Sequence, residues 1–206
     1  MKIQVFEDAD TVACEAAKFI AAAAHEKFVI AVSGGSTPLQ MFRALARVKM
    51  RVVQVDERVA PAGHPDRNLM HLRENWPAEI YPMPVEEPDL EAAAKGYAKT
   101  LQKIAPVLDL VHLGLGADGH TASLVPGDPV LDVTDRDVAV TGVYQGRRRM
   151  TLTYPAINRA RQILWLVTGA EKVEMLRRLL AGDPTIPAGR VRHDRALVFA
   201  DRAAIP

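Results

Sequence analysis

Hydrophobic and polar positions along this chain fall into two alternating rhythms. The runs Phe28–Ser33, Leu108–Gly114, Gln162–Val167 and Ala196–Ala200 are mostly apolar and of strand length, as expected for strands covered on both faces. Between them lie stretches with apolar residues at helical spacing, such as Leu39, Phe42, Leu45 and Ala46 behind Pro38. Lys2–Phe6 alternates like a short strand, and Asp8 predicts the N-cap of an alanine-rich helix reaching about Lys27. Further along, the pattern predicts a strand over Arg51–Val55, a short helix over Asn68–Trp76 with Asn68 as its cap, and a longer helix over Asp89–Ala105. Strands over Val138–Val143 and Met150–Thr153 and a helix over Ala170–Leu180 complete the pattern, while the prolines of Tyr81–Pro88 read as a surface loop.

This alternation predicts an α/β protein: a mostly parallel sheet with helices on both faces. With 206 residues, 49% of them hydrophobic, the chain fits one large domain spanning 1–206 better than two small ones. In such sheets the ligand crevice lies beyond the carboxyl ends of the strands. Ser33–Pro38, Asp56–Asn68 and Gly114–Gly127 each follow a predicted strand, so they are expected to converge there.

Composition narrows the function classes. Twenty-six basic and 25 acidic residues leave a formal charge of +1, so no global field draws nucleic acid or a membrane surface. An anionic ligand must then be held by local positive groups. The single cysteine, Cys14, is expected to be buried and inert, and it excludes an intrachain disulfide and a multi-cysteine metal site. The start of the chain lacks the charged and apolar regions of a signal peptide, and no apolar stretch has membrane-spanning length, so a cytoplasmic protein is expected.

The candidate chemistry sits in the three converging segments. Gly34, Gly35, Ser36 and Thr37 join a strand to a helix, where backbone N–H groups and hydroxyls suit a phosphate; the alternative is a tight turn with an ordinary cap. Asp56, Glu57 and Arg58 put two carboxylates and a guanidinium at the same mouth, or else form a solvated pair beside a turn cap. In Gly114–Leu124 three glycines within six residues bring Asp118 and His120 into an irregular loop. An imidazole there can take a proton from water near neutral pH, and a neighbouring carboxylate can fix its tautomer. A divalent metal on Asp118, His120 and Asp56 or Glu57 is a weaker alternative, since no second histidine falls at i+4. Arg147, Arg148, Arg149 and Lys172 are further partners for an anion.

These segments, SGGSTP at Ser33–Pro38, DER at Asp56–Arg58, GLGADGHTASLVPG at Gly114–Gly127, RMTLT at Arg149–Thr153 and GAEKVEML at Gly169–Leu176, occur in an order that resembles the family of glucosamine-6-phosphate deaminases and 6-phosphogluconolactonases. The resemblance implies a Rossmann-like three-layer αβα fold like that of the deaminases. It also implies a sugar-phosphate substrate, with no cofactor, no metal and no obligatory protein partner. Within the family, Thr121–Leu124 after His120 and Arg58 after the acidic pair resemble the lactonases, which open 6-phosphoglucono-δ-lactone in the oxidative pentose phosphate pathway. A deaminase or isomerase, and a sugar-phosphate sensor without chemistry, are the alternatives. Carried over, His120 is the base, Asp118 its neighbour and Arg58 an active-site guanidinium. Gly34, Gly35, Ser36, Thr37 and Asp56 line the ligand, and Arg149 and Lys172 take the phosphate. The family's proline-rich approach to that arginine is replaced here by Tyr144-Gln145-Gly146-Arg147-Arg148, leaving three adjacent arginines as candidates.

Overall fold

The computed structural model describes residues 1–35 and 37–205. Seven parallel strands form the central sheet: β1 (Lys2–Phe6), β2 (Val29–Val32), β3 (Arg51–Gln54), β5 (Glu79–Tyr81), β6 (Leu110–Gly114), β9 (Gln162–Val167) and β10 (Ala196–Asp201). Their spatial order is β1-β10-β9-β6-β2-β3-β5. From β2 the chain builds outward through β3 and β5, and from β6 it builds the other way. The order therefore reverses between β2 and β6, and a crevice opens there at the carboxyl ends of the strands.

Alternate side chains of the inner strands enter two separate cores. Ile30 and Val32 of β2, with Leu164, Leu166 and Phe199, pack against Val12, Ala16 and Ile20 of helix α1 (Ala9–Ala23), Phe42 of α2 (Leu39–Ala44) and Leu72 of α3 (Asn68–Asn75). Val29 and Ala31, with Val111, Trp165 and Val198, face Tyr97 and Leu101 of α4 (Leu90–Ile104), Ile157 of α5 (Tyr154–Arg159) and Leu176 of α6 (Val173–Leu180). The result is a three-layer α/β fold. Burial on both faces explains why the strands read as continuous apolar runs.

A second, antiparallel sheet was not foreseen. It consists of β4 (Asp56–Arg58), β8 (Arg149–Leu152) and β7 (Val138–Val140), in the order β4-β8-β7. The predicted strand over Arg51–Val55 thus stops at Gln54, and Val55 becomes a joint. Its N–H donates to Val32 O in the large sheet (2.9 Å) and its carbonyl accepts from Leu152 N in the small one (2.8 Å).

Other expectations are corrected in detail. The first helix ends at Ala23, and Cys14 lies on its exposed side because the buried face is made by Val12, Ala13, Ala16, Ala17 and Ile20. Tyr81 ends a strand, and Met83 and Val85 are buried, so Tyr81–Pro88 is only partly a surface loop. The strand from Val138 stops at Val140, and Val143 is exposed. Arg149 begins its strand instead of preceding it, and Ala170–Lys172 forms a 3-10 turn ahead of α6. Asn68 is the first helical residue of α3, not its cap.

Candidate active site

The crevice is a cavity of about 300 Å³ at the switch point. Gly34, Gly35, Thr37, Asp56, Arg58, Asn68, His112, His120, Arg149 and Lys172 all contribute to its lining. Of the expected site residues, Asp118 lies outside that lining, as do Glu57, Arg147 and Arg148 among the wider candidates; Ser36 falls outside the described residues.

His120 is placed by its own loop. Gly116 N donates to His120 O (2.8 Å) and Gly119 N to Gly116 O (3.0 Å), folding the segment into a tight curl. Gly116 is required there, since a Cβ on it would lie 2.1 Å from His120 Nδ1. Asp118 Oδ1 sits 2.5 Å from the same Nδ1 and also accepts the His120 backbone N–H at 3.1 Å. With Nδ1 held by the carboxylate, Nε2 is the nitrogen left for the cleft. Burial pushes the Asp118 carboxyl upward, but hydrogen bonds from the His120 N–H and ring and from Tyr144 outweigh it, so the group stays below its ordinary range.

The opposite wall comes from the small sheet. Asp56 and Arg58 face the cavity, while Glu57 between them turns inward and is fully buried. Glu57 accepts from Gln54 Nε2 (2.8 Å), Arg58 N (2.8 Å), Asn68 N (2.8 Å) and Leu69 N (2.9 Å), and its Oε2 lies 3.3 Å from Arg67 Nε. A carboxylate from another strand thus occupies the N-terminus of α3, which is why Asn68 is free of capping. Neither a solvated Glu57 nor a turn cap at Asp56 describes this segment.

Asn68 instead supports Asp56. Its Nδ2 donates to Asp56 O (3.0 Å), and a Cβ on Gly34 would lie 2.0 Å from its Oδ1, so the glycine loop and the acidic strand interlock. Asp56 Oδ2 accepts from Ser123 Oγ at 2.6 Å. Burial dominates this carboxyl and holds it above the ordinary value, despite Ser123 and the nearby Arg58 and Arg149.

The arginine ambiguity resolves by geometry. Arg147 pairs with Asp66 (2.8 Å) and Arg148 lies 3.7 Å from Glu91, both away from the cavity. Arg149 lines it, directly across the antiparallel ladder from Arg58. The Nε of each is buried with no partner among the described residues. Two guanidiniums side by side with orphaned donors suit an anion that bridges them. Lys172 lies on the same cavity, its nearest carboxylate, Glu171, at 3.8 Å.

Three contributors had no clear sequence signal. His112 is buried in β6, and burial pushes its imidazole down to about 3, so it is neutral. Its Nδ1 accepts from Ser33 N at 3.3 Å. Thr168, at the end of β9, meets Thr37 with hydroxyls 3.3 Å apart. Tyr144 donates to Asp118 Oδ2 at 2.9 Å. A histidine amid the apolar residues of Leu110–Leu113 was the one available hint. Among the described residues, no group of three or more His, Cys, Asp or Glu side chains is placed to hold a metal.

Over residues 7–199 the sequence matches the model of the glucosamine-6-phosphate isomerases/6-phosphogluconolactonase family. The chain belongs to this family. Among relatives, the 6-phosphogluconolactonase of Synechocystis is 42% identical over 171 residues, covering 74% of this chain and 71% of that one. A solved 6-phosphogluconolactonase from Shewanella baltica superposes with a TM-score of 0.87 at 26% identity, covering 98% of this chain and 97% of the other. A monomeric glucosamine-6-phosphate deaminase superposes with a TM-score of 0.86 at 21% identity, over 99% and 98% of the two chains. At that identity it shows the fold alone. The family fold therefore does not choose between the two activities, and the residues around the cleft must.

Proposed function

We propose that this protein is a 6-phosphogluconolactonase, hydrolysing 6-phosphoglucono-δ-lactone to 6-phosphogluconate in the oxidative pentose phosphate pathway. The observation that carries the reading is His120, anchored at Nδ1 by Asp118 in a cleft whose far wall holds Arg58 and Arg149. Such a pairing suits general-base attack by water on an anionic substrate.

The substrate phosphate lies among Arg149, Lys172 and the Gly34–Thr37 loop, which fixes the lactone ring beneath His120. His120 Nε2 takes a proton from water as the water oxygen bonds to C1. Arg58 and backbone N–H groups stabilise the oxyanion of the tetrahedral intermediate. As the oxyanion collapses, the bond from C1 to the ring oxygen breaks and His120 returns its proton to that oxygen. The acid released ionises at neutral pH. An imidazole and water suffice for an activated ester, so this reading needs no cofactor, metal or protein partner. The pathway reading implies a cytoplasmic enzyme; separately, among the described residues no helix is long and apolar enough to cross a membrane. One domain spanning 1–206 carries the whole activity.

The test is a continuous assay on freshly generated lactone, corrected for spontaneous hydrolysis. Acceleration over buffer is expected. Its absence, or ammonia release from glucosamine 6-phosphate in its place, would overturn the assignment.

A further inference from the structure

The side chains of the turn ahead of β8 reach both His120 and Arg149. Tyr144 and Arg147 form an isolated antiparallel bridge around Gln145 (φ 51) and Gly146 (φ 79). Both central residues are left-handed, as in the tightest hairpin turns, and a glutamine is uncommon there. Gln145 is not idle in that conformation, because its Oε1 accepts from Arg149 Nη2 at 3.1 Å. Tyr144 reaches both sides. Its hydroxyl donates to Asp118 Oδ2 (2.9 Å), its ring meets the His120 ring nearly edge-on with centroids 5.5 Å apart, and the Arg149 guanidinium carbon lies 4.9 Å from its ring centroid. The hydroxyl also lies 3.5 Å from His120 Nδ1 and from Gln145 Nε2.

We propose that Tyr144 is a positioning residue that links the anion-binding arginine to the general base: its hydroxyl fixes the carboxylate that orients His120, and its ring is the platform for Arg149. The proposal rests on the lactonase reading of the same cleft. Asp118 has two oxygens with separate duties, Oδ1 toward His120 and Oδ2 toward Tyr144. The phenol withdraws negative charge from the carboxylate and so moderates its hold on a protonated imidazole. It also locks the rotamer of a carboxylate that is otherwise 39% exposed. Burial first, and then Asp118, push the phenol above its ordinary value, so it remains a donor across the neutral range. The other charged groups facing the pair across the cavity are Asp56, Arg58, Arg149 and Lys172. Among the described residues, Tyr144 alone hydrogen-bonds Asp118 from outside its own loop. On the other side of the ring, the Arg149 guanidinium rests on the Tyr144 face and donates to Gln145, with the Asp56 carboxylate nearby.

Two variants separate the roles. Tyr144→Phe keeps the platform and removes the hydroxyl; Tyr144→Leu removes both. In Tyr144→Phe the acid limb of kcat/KM against pH, and the titration of the His120 ring followed by NMR without substrate, both move upward. Affinity for 6-phosphogluconate, read by calorimetry, stays within about twofold, whereas in Tyr144→Leu it falls by about threefold to tenfold. An unmoved ring titration in the Phe variant overturns the proposal, as does undiminished affinity in a Leu variant that melts like the parent. If the Leu variant does not fold, the Phe variant alone decides. The ring titration needs no turnover, so a parent protein that fails to hydrolyse the lactone counts against the proposed function and leaves this test intact.

Discussion

His120 owes its orientation to groups on every side of its ring: Gly116 beneath it, Asp118 at Nδ1 and Tyr144 at its edge. Removing the imidazole leaves the anion-binding wall untouched. His120→Ala is therefore expected to lower kcat by about a hundredfold to ten-thousandfold in the lactone assay while 6-phosphogluconate still binds. A change of a different kind is expected at Gly34. A methyl group there would press on the Asn68 amide, which must shift and release Asp56. Gly34→Ala should cost about 1–3 kcal/mol in urea denaturation and raise KM as well. His120 and Asp118 were legible because their loop carries a dense pattern of glycine and charge, and Arg58 because it stands with two carboxylates just after an apolar strand run. Asn68, His112 and Tyr144 were not, since each acts through a neighbour distant in sequence. For Asn68 the sequence even suggested a different duty, capping, which Glu57 performs.

At the scale of elements, the strands buried on both faces were read nearly to the residue, and Gln162–Val167 coincides with β9. Their apolar content is set by the two cores, and the sequence records it directly. Of the small sheet, β7 and β8 were expected as strands over Val138–Val143 and Met150–Thr153, while β4 and the pairing of the three were hidden for the opposite reason. β4 has three residues, two of them facing a polar cleft, and its partner β8 lies far along the chain, so no local period announces it. Its consequence is the treatment of Glu57. This fully buried carboxylate satisfies the first turn of α3 and faces a nearly buried Arg67. Glu57→Ala would leave that guanidinium with Glu86 alone as a carboxylate partner and strip several N–H groups of their acceptor. A loss of about 3 kcal/mol or more is expected in equilibrium unfolding, with α3 the first element to lose amide exchange protection.

For the molecule as a whole, stability is tied to the state of the cleft and to pH. Arg58 and Arg149 are directly opposed in the ladder, an unfavourable pairing that a bridging anion relieves. Saturation with 6-phosphogluconate at about a hundred times its Kd should add about 2.7 kcal/mol of stability, seen as a higher melting temperature. Arg149→Met should abolish most of that gain. His112 contributes one part of the pH dependence. In the folded state it remains neutral down to about 3, whereas a free imidazole titrates near 6.5, so between these limits the unfolded chain binds more protons. Stability then rises with pH and is progressively lost as pH falls below the unfolded value, by at most about 1.4 kcal/mol per unit. His112→Leu should flatten that slope in urea titrations run between about pH 5 and pH 8. The joint at Val55 carries a consequence for how such a protein can change over time. The same residue makes the last hydrogen bond to the large sheet and the first to the small one, so no slack exists in which an added residue could hide. Because side chains alternate along a strand, a single insertion after Val55 would turn Arg58 and Asp56 inward and push Glu57 into the cleft. Length is thus frozen at this point, and drift in this region must proceed by substitution alone.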